Sequence, residues 1–274
     1  MPHLELGPGE SVYFEHHAPA RAGAPCFAFV NDLVGEMDGW EAAVAPALRA
    51  EGFGTLLFNH RGQARSEFRA ETALTPKGMI SDLRLLLRTV LTEPPILVGL
   101  SLGGLCAAQA HLGGARAQGL ALINTLREPG PRLDWVDQAM PLLAMAGGRP
   151  LLRDALLPLL ASPEYLGALR EAGPAPDYAP LAPEDGLVTL LRHAREAEWR
   201  LDYEALRLPV LVITGLHDRV YLDREVVNRL IERLPDIRSE VFEAAGHFAA
   251  QERPDDLALS LARFALELER RAAA

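Results

Sequence analysis

The chain has 274 residues, of which 49% are hydrophobic, and a formal net charge of −10 at pH 7. This length can bury a large core, either as one domain with an insertion or as two modest domains. The acidic charge argues against a nucleic-acid partner, and no apolar run reaches the ~18 residues of a membrane helix, so no membrane association is expected. Residues 1–11 lack the basic start and apolar core of a signal peptide, which indicates a cytoplasmic protein.

Short apolar runs alternate with helix-like patterns over the first part of the chain. The predicted strands cover residues 11–17, 26–30, 54–58, 95–99 and 119–123. The predicted helices cover residues 40–50, 78–91 and 105–110. This alternation is typical of a parallel sheet. Both cysteines, Cys26 and Cys106, fall in apolar segments, so we expect buried thiols rather than a disulfide or a metal site.

The alternation stops between residues 126 and 206, where leucine, alanine and proline dominate. No strand-like run occurs there, and the prolines predict a set of short helices. Strand patterns return at residues 209–214 and 239–243, and a last helix begins near Pro254. We therefore divide the chain into a core of residues 1–125 and 207–274 and an inserted helical segment of residues 126–206.

The most informative motif is Gly99-Leu100-Ser101-Leu102-Gly103, which lies between a predicted buried strand and a predicted helix. Between a strand and a helix, the pattern G-x-S-x-G indicates a nucleophile, because the two glycines allow a strained turn that exposes a serine hydroxyl. The following helix N-terminus favours negative charge. Ser101 is therefore the candidate nucleophile.

A serine nucleophile needs a base and an acid that orients the base. Asp218 follows the predicted strand of residues 209–214, and His247 follows the strand of residues 239–243. Loops after parallel strands meet at one edge of the sheet, where the sites of such proteins lie. The alternatives are a helix-capping carboxylate for Asp218 and a surface histidine for His247.

The chain resembles the α/β-hydrolase superfamily over nearly its whole length. The resemblance is carried by the G-x-S-x-G motif, the loop with Asp218, and the segment G-H-x-x-x-x-E-x-P from Gly246 to Pro254, which occur in the family's order. It implies an α/β fold, with a mostly parallel, doubly wound sheet and residues 126–206 as an all-helical cap over the active site. It also implies a catalytic triad of Ser101, Asp218 and His247.

Two backbone amides are expected to bind the oxyanion. The Leu102 amide follows the nucleophile at the helix start. The resemblance implies Leu33 as the second donor, and the spacing of Asn31, Leu33 and Trp40 is similar to the enol-lactonase branch of the family. Asp32 departs from the family's usual glycine, and an ionised Asp32 would oppose an oxyanion, so we expect its side chain to turn away. Core packing is the alternative explanation for Trp40.

Residues 59–66 resemble a family loop, usually D-x-R-G-x-G-x-S, whose role is mainly structural. Asn59 and Ala64 depart from that pattern. The resemblance implies that Arg61 ties neighbouring loops together, and His60 is not expected to be catalytic.

Substrate-binding residues are expected from the cap and beside the triad. The candidates are apolar or aromatic: Met140, Leu143, Met145, Tyr165 and Phe248. Most apolar cap residues must pack the cap against the core in any case. Because residues 135–161 carry few charges, the sequence predicts an uncharged pocket wall and a preference for small to medium uncharged acyl groups.

Serine at position 101 implies acyl transfer through an acyl-enzyme, whereas relatives that form alkyl-ester intermediates use aspartate there. Neither a zinc motif nor an early G-x-G-x-x-G is present, so no metal or nucleotide cofactor is expected. The sequence favours a cofactor-free serine hydrolase of small-molecule esters or lactones. The alternatives are a C–C bond hydrolase of ring-cleavage diketones, a cofactor-free perhydrolase, and a non-catalytic ligand receptor of the same fold. No oligomeric state is indicated.

Overall fold

Short apolar runs form a central eight-stranded sheet in the computed structural model, which describes residues 2–174 and 177–273. The strands are β1 (His3–Gly7), β2 (Glu10–His17), β3 (Cys26–Val30), β4 (Gly54–Phe58), β5 (Ile96–Leu100), β6 (Gly119–Ile123), β7 (Val210–Gly215) and β8 (Ile237–Phe242). Their order is β1-β2-β4-β3-β5-β6-β7-β8. The pairs β1–β2 and β2–β4 are antiparallel, and all other neighbouring strands are parallel.

Helices cover both faces of the sheet. They are α1 (Asp38–Glu41), α2 (Val44–Ala50), α3 (Pro76–Val90), α4 (Leu102–Leu112), α5 (Pro131–Leu160), α6 (Pro163–Ala168), α7 (Gly186–His193), α8 (Arg224–Ile231), α9 (Ala249–Glu252) and α10 (Pro254–Ala273). In β3, Ala28 and Val30 pack into one core with α3 and α4, while Phe27 and Phe29 pack into a second core with α2 and α10. Every residue of β3 to β6 is buried, because these strands are covered on both sides. The predicted doubly wound α/β fold is confirmed.

Two differences between the predicted and the observed elements lie in the first 50 residues. The first strand, β1, was not predicted, because only Leu4 and Leu6 mark it as apolar. The predicted helix of residues 40–50 is divided into α1 and α2, with a break at Ala43. Pro46 explains the break, since a proline has no N–H and its ring collides with the carbonyl four residues earlier.

The cap segment, which we define as residues 126–206, differs from the predicted set of short helices. Its first helix, α5, spans Pro131–Leu160 and contains three further prolines after Pro131. The interruption occurs at Gly147 and Gly148 instead, where the backbone leaves helical geometry. Gly148 has a φ of 69°, and a Cβ there would overlap with the Ala179 carbonyl. Pro150 is tolerated because it lies in the first turn after this break.

The described cap residues form helices and irregular segments but no strand. Among all described residues, no helix combines the length with the apolar character that a bilayer-spanning segment requires.

Asn124 joins three loops at the carboxyl edge of the sheet. It follows β6 directly and adopts a φ of 47°, a region that asparagine tolerates better than alanine does. Its Nδ2 donates to the carbonyls of Gly246 at 3.0 Å and His247 at 2.9 Å. Its Oδ1 accepts the amide of Gly215, at the end of β7, at 2.8 Å. One side chain therefore holds together the loops after β6, β7 and β8.

His60 is buried in the loop after β4. It is only 1% exposed, and its ring packs edge-to-face on Phe58 with centroids 5.0 Å apart. Its Nε2 lies 3.3 Å from the carbonyl of Asn31, whereas Nδ1 has no hydrogen-bond partner among the described residues. Burial lowers the pKa of His60 from 6.5 to about 4.

We predict that replacing Asn124 destabilises the fold. Asn124→Ala should lower the free energy of unfolding by about 2–4 kcal/mol, because three hydrogen bonds are lost and alanine is strained at positive φ. Asn124→Gly loses the same bonds without that strain, so it should be about 1 kcal/mol more stable than the alanine variant. Urea unfolding of the three proteins measures both differences. Equal stability of the two variants would contradict the argument about backbone strain.

We also predict that His60 makes the fold sensitive to acid. Above the ordinary histidine pKa of about 6.5, His60 is neutral in the folded and the unfolded chain. Between about pH 6.5 and 4, the unfolded chain binds a proton that the folded chain does not, so stability falls by about 3 kcal/mol over that interval. Urea unfolding across this range should show the loss, and His60→Gln, which keeps an N–H donor but does not titrate, should reduce it. An unchanged pH dependence in the variant would contradict the prediction.

Candidate active site

Ser101 occupies a strained turn between β5 and α4. Its φ of 55° and ψ of −121° lie outside the regions that side-chain-bearing residues normally adopt. The turn is possible because the backbone packs closely around it: a Cβ at Gly99 would overlap with Gly104, and one at Gly103 would overlap with the Val30 carbonyl. These contacts fix the position of the Ser101 side chain at the C-terminal end of a central strand.

His247 and Asp218 form a buried pair, and each is 3% exposed. His247 Nδ1 lies 2.7 Å from Asp218 Oδ2. The other carboxylate oxygen, Oδ1, accepts the amides of Val220 at 3.0 Å and Tyr221 at 2.8 Å. Burial raises the pKa of Asp218, but the charge of His247 and these hydrogen bonds outweigh it and hold the pKa below its ordinary value. An ionised Asp218 accepts the Nδ1 proton, which leaves Nε2 of His247 as the basic nitrogen.

The loop that carries His247 is held by Glu252 and by the cap. Glu252 accepts the amide of Gly246 at 2.9 Å and that of Phe248 at 3.0 Å. The amide of His247 donates to the carbonyl of Leu160, the last residue of α5, at 2.6 Å. The histidine backbone is therefore fixed from both sides.

Arg127 is the residue that contacts the Ser101 hydroxyl. Its Nη2 lies 3.0 Å from Ser101 Oγ and 2.6 Å from the Asn124 carbonyl. Within residues 2–174 and 177–273, no hydrogen bond joins His247 to Ser101. The sequence analysis missed Arg127, although its position four residues after β6, at the active edge of the sheet, was a usable signal.

The Arg127 guanidinium lies between two aromatic rings. Its central carbon is 4.5 Å from the centroid of Trp199 and 4.4 Å from that of Tyr221. Arg127 is 6% exposed, and burial lowers its pKa. Its Nε is buried without a hydrogen-bond partner among the described residues. The site therefore contains a buried cation whose hydrogen-bond donors are only partly satisfied by the described residues.

The two residues predicted to supply the oxyanion donors line the same cavity as Ser101. Leu102 begins α4, and Leu33 lies in the loop after β3. A polar network holds that loop: Gln63 Nε2 donates to the carbonyls of Asp32 at 2.8 Å and Gly35 at 2.7 Å, and Trp40 Nε1 donates to Asn31 at 2.9 Å.

Asp32 lines the cavity, whereas Arg61 does not. Asp32 directs Oδ1 to the amide of Gly35 in its own loop, and burial raises its pKa against the opposing charge of His247. Arg61 pairs with Asp82 of α3 at 2.7 Å and with Glu10 of β2 at 3.3 Å, so it ties its loop to a helix and a strand rather than to other loops.

A cavity of about 570 Å³ opens above Ser101 and is lined by the loops of the sheet edge and by the cap. Of the five predicted substrate-binding residues, Met140, Tyr165 and Phe248 line it. Leu143 and Met145 do not line it. They pack instead between cap helices, around the cluster that contains Ala144, because they project from α5 toward α7.

In the part of the chain that the structure describes, no three His, Cys, Asp or Glu side chains are grouped so that they could hold a metal ion.

Comparisons with known proteins agree with this architecture. The family model for the alpha/beta hydrolase family matches residues 22–259. A search of curated protein sequences gives no significant match. Similar solved structures include MGS-M2, an alpha/beta hydrolase enzyme from a Medee basin deep-sea metagenome library, with 16% identity, a TM-score of 0.79 and 96% of each chain covered.

Two further structures have related folds. The enol-lactonase from Burkholderia xenovorans LB400 has 23% identity and a TM-score of 0.76, with 96% of this chain and 99% of that chain covered. A thermophilic esterase from Thermogutta terrifontis has 21% identity and a TM-score of 0.77, with 94% of each chain covered. Since the family model spans most of the sequence and the sheet carries a serine at its strained central turn, the chain belongs to the alpha/beta hydrolase family.

Proposed function

We propose that the protein is a cofactor-free serine hydrolase that cleaves carboxylic esters or lactones through an acyl-enzyme. The observation that carries this proposal is the strained Ser101 in a cavity that is also lined by His247, the histidine paired with the buried Asp218. The enol-lactonase and the esterase with related folds support an ester or lactone as the substrate class.

In the proposed mechanism, Ser101 Oγ exchanges its hydrogen bond with Arg127 for one with His247 Nε2. Catalytic hydrogen bonds commonly tighten only when substrate is bound. His247 then removes the hydroxyl proton as Oγ attacks the scissile carbonyl, and Asp218 stabilises the imidazolium that forms. The amides of Leu102 and Leu33 bind the oxyanion.

Collapse of the tetrahedral intermediate breaks the bond to the leaving oxygen, which takes the proton from His247. Water, deprotonated by the same nitrogen, then attacks the acyl-enzyme and releases the acid and Ser101. Each step uses side chains and backbone amides of this chain and water, so no cofactor is required.

The cavity supports a substrate of small to medium size with an apolar body. Its volume of about 570 Å³ is within the usual range of small-molecule sites. Leu100, Leu133, Met140 and Leu156 contribute apolar wall. The sequence-based preference for an uncharged acyl group rested on residues 135–161, whereas the charge nearest to Ser101 comes from Arg127, outside that segment.

We predict that Ser101→Ala abolishes formation of the acyl-enzyme. The variant lacks the nucleophile, so kcat for p-nitrophenyl butyrate should fall by roughly 10⁴-fold or more. A fluorophosphonate should label the parent protein at Ser101, as located by mass spectrometry. Ser81→Ala, which removes an exposed hydroxyl on α3, serves as the matched control and should keep both labelling and turnover. An adduct on a different serine would refute the assignment.

We predict that Asp218→Asn lowers kcat by up to ~10⁴-fold, because an asparagine amide disfavours the histidine tautomer that donates from Nδ1. KM should change much less, since Asp218 has no role in binding substrate. Asp223→Asn is the control, because Asp223 is exposed and caps α8 through the amides of Glu225 and Val226. Steady-state kinetics on the same ester measures both variants, and equal rates for the two would contradict the proposed role of Asp218.

A further inference from the structure

Arg127 carries a positive charge at the nucleophile that nothing in the described structure neutralises by direct contact. A buried charge is costly unless it is paired and fully hydrogen-bonded. Arg127 forms no ion pair within the described ranges, 2–174 and 177–273, and its Nε has no partner there. The charge is nevertheless permanent, because an arginine side chain does not lose its proton in proteins.

The nearest acidic side chains are engaged by other groups or form no ion pair with Arg127 among the described residues. Asp218 is already engaged by His247 and by two backbone amides. Asp137 lines the same cavity and attracts Arg127, but burial outweighs that attraction and raises the pKa of Asp137 to about 6. Among the described residues, no ion pair or hydrogen bond joins the two side chains. Asp137 therefore compensates Arg127 from a distance.

The guanidinium is held ready for a ligand. The rings of Trp199 and Tyr221 both pack on it and restrict its movement. A guanidinium has five N–H donors in a fork that matches a carboxylate, and the two hydrogen bonds described for Arg127 both use Nη2. Nε and Nη1 keep donors for which the described residues supply no acceptor. Arg127 lines the cavity together with Trp199 and Tyr221, so the free donors of Nη1 are within reach of a bound molecule, whereas Nε is fully buried.

We propose that Arg127 binds a carboxylate of the substrate, so that the preferred substrates are esters or lactones with a carboxylate close to the scissile carbonyl, such as half-esters of short dicarboxylic acids. The spacing follows from the geometry: Nη2 is 3.0 Å from Ser101 Oγ, so a carboxylate on Arg127 lies only a few bonds from the carbon that Oγ attacks. The proposal rests on the proposed ester hydrolysis. It replaces the uncharged acyl group that the sequence predicts.

Such a substrate would also release the nucleophile. A carboxylate is a better acceptor for a guanidinium than a neutral hydroxyl is, because a hydrogen bond between two charged groups is shorter and stronger. It competes with Ser101 for the Nη2 protons and frees Oγ to donate to His247. The anionic group is thus recognised at the same step that prepares the serine for attack.

The test compares monomethyl succinate with dimethyl succinate, which differ in one carboxylate. At pH 7.5 the ratio of their kcat/KM values should favour monomethyl succinate by about tenfold or more in the parent protein. In Arg127→Gln this ratio should fall roughly 10- to 100-fold, as expected for the loss of a charged hydrogen-bonded contact. The matched control is Arg229→Gln, which removes an exposed arginine that pairs with Glu128, and its ratio should stay within about twofold of the parent value.

A binding experiment separates this proposal from the proposed reaction. Titration calorimetry should show succinate binding to the parent protein at least ~10-fold more tightly than succinamide, and the preference should be lost in Arg127→Gln. Hydrolysis of dimethyl succinate with labelling of Ser101, but without preference for the half-ester, overturns the role of Arg127 and leaves the proposed function intact. An equal fall in kcat/KM for both esters in Arg127→Gln also overturns the proposed role of Arg127 in carboxylate binding. Arg127 would then act on the reaction centre that the two esters share. Carboxylate binding without hydrolysis of any ester overturns the proposed function alone.

Discussion

The functional groups of this protein meet because six parallel strands end at one edge of the sheet. The loop after β5 carries Ser101, the loop after β7 carries Asp218, and the loop after β8 carries His247. The loops after β3, β4 and β6 contribute the remaining polar groups. Parallel pairing places all of these loops on the same side, at the crevice where ligands bind in open α/β sheets. The parallel direction of the strands is therefore the first requirement for the chemistry, because it brings the loops with the functional side chains together.

Proximity alone does not orient the loops. Their orientation is fixed by polar side chains that hydrogen-bond to the loop backbone, which we call polar clamps. Asn124 and Glu252 hold the backbone around His247, and Gln63 holds the loop that contains Leu33. Each clamp satisfies backbone groups that would otherwise be buried without a partner, which links the stability of the fold to the geometry of the site. A buried network of this kind favours one arrangement because every alternative leaves groups unsatisfied.

The parts of the site that depend on short sequence motifs could be predicted from the sequence. The glycines around Ser101 and the turn residues near Asp218 and His247 are short-range signals, and the strands at residues 26–30, 54–58 and 119–123 have the predicted bounds. Asn124 and Gln63 could not be recognised in this way, because their partners lie up to 123 and 32 residues away in the chain.

Contacts between residues distant in sequence also explain why the role of Arg127 and the packing of the cap could not be predicted. The role of Arg127 becomes visible only when Trp199 and Tyr221 close around it. Met140 and Met145 have similar chemistry, and only the packing of α5 on α7 decides that the first lines the cavity and the second does not.

The attachment of α5 to the site has a mechanical consequence. The carbonyl of Leu160 accepts the amide of His247, and the carbonyl of Leu159 accepts that of Arg219, beside Asp218. The end of the helix thus shares main-chain bonds with the loops of both the base and the acid. A displacement of this half of α5 would pull His247 and Asp218 out of alignment. The half before Gly147 and Gly148 is separated from these bonds by the break in the helix. If ligand entry and release leave the His247–Asp218 geometry unchanged, the part of α5 that moves must be the half before Gly147 and Gly148.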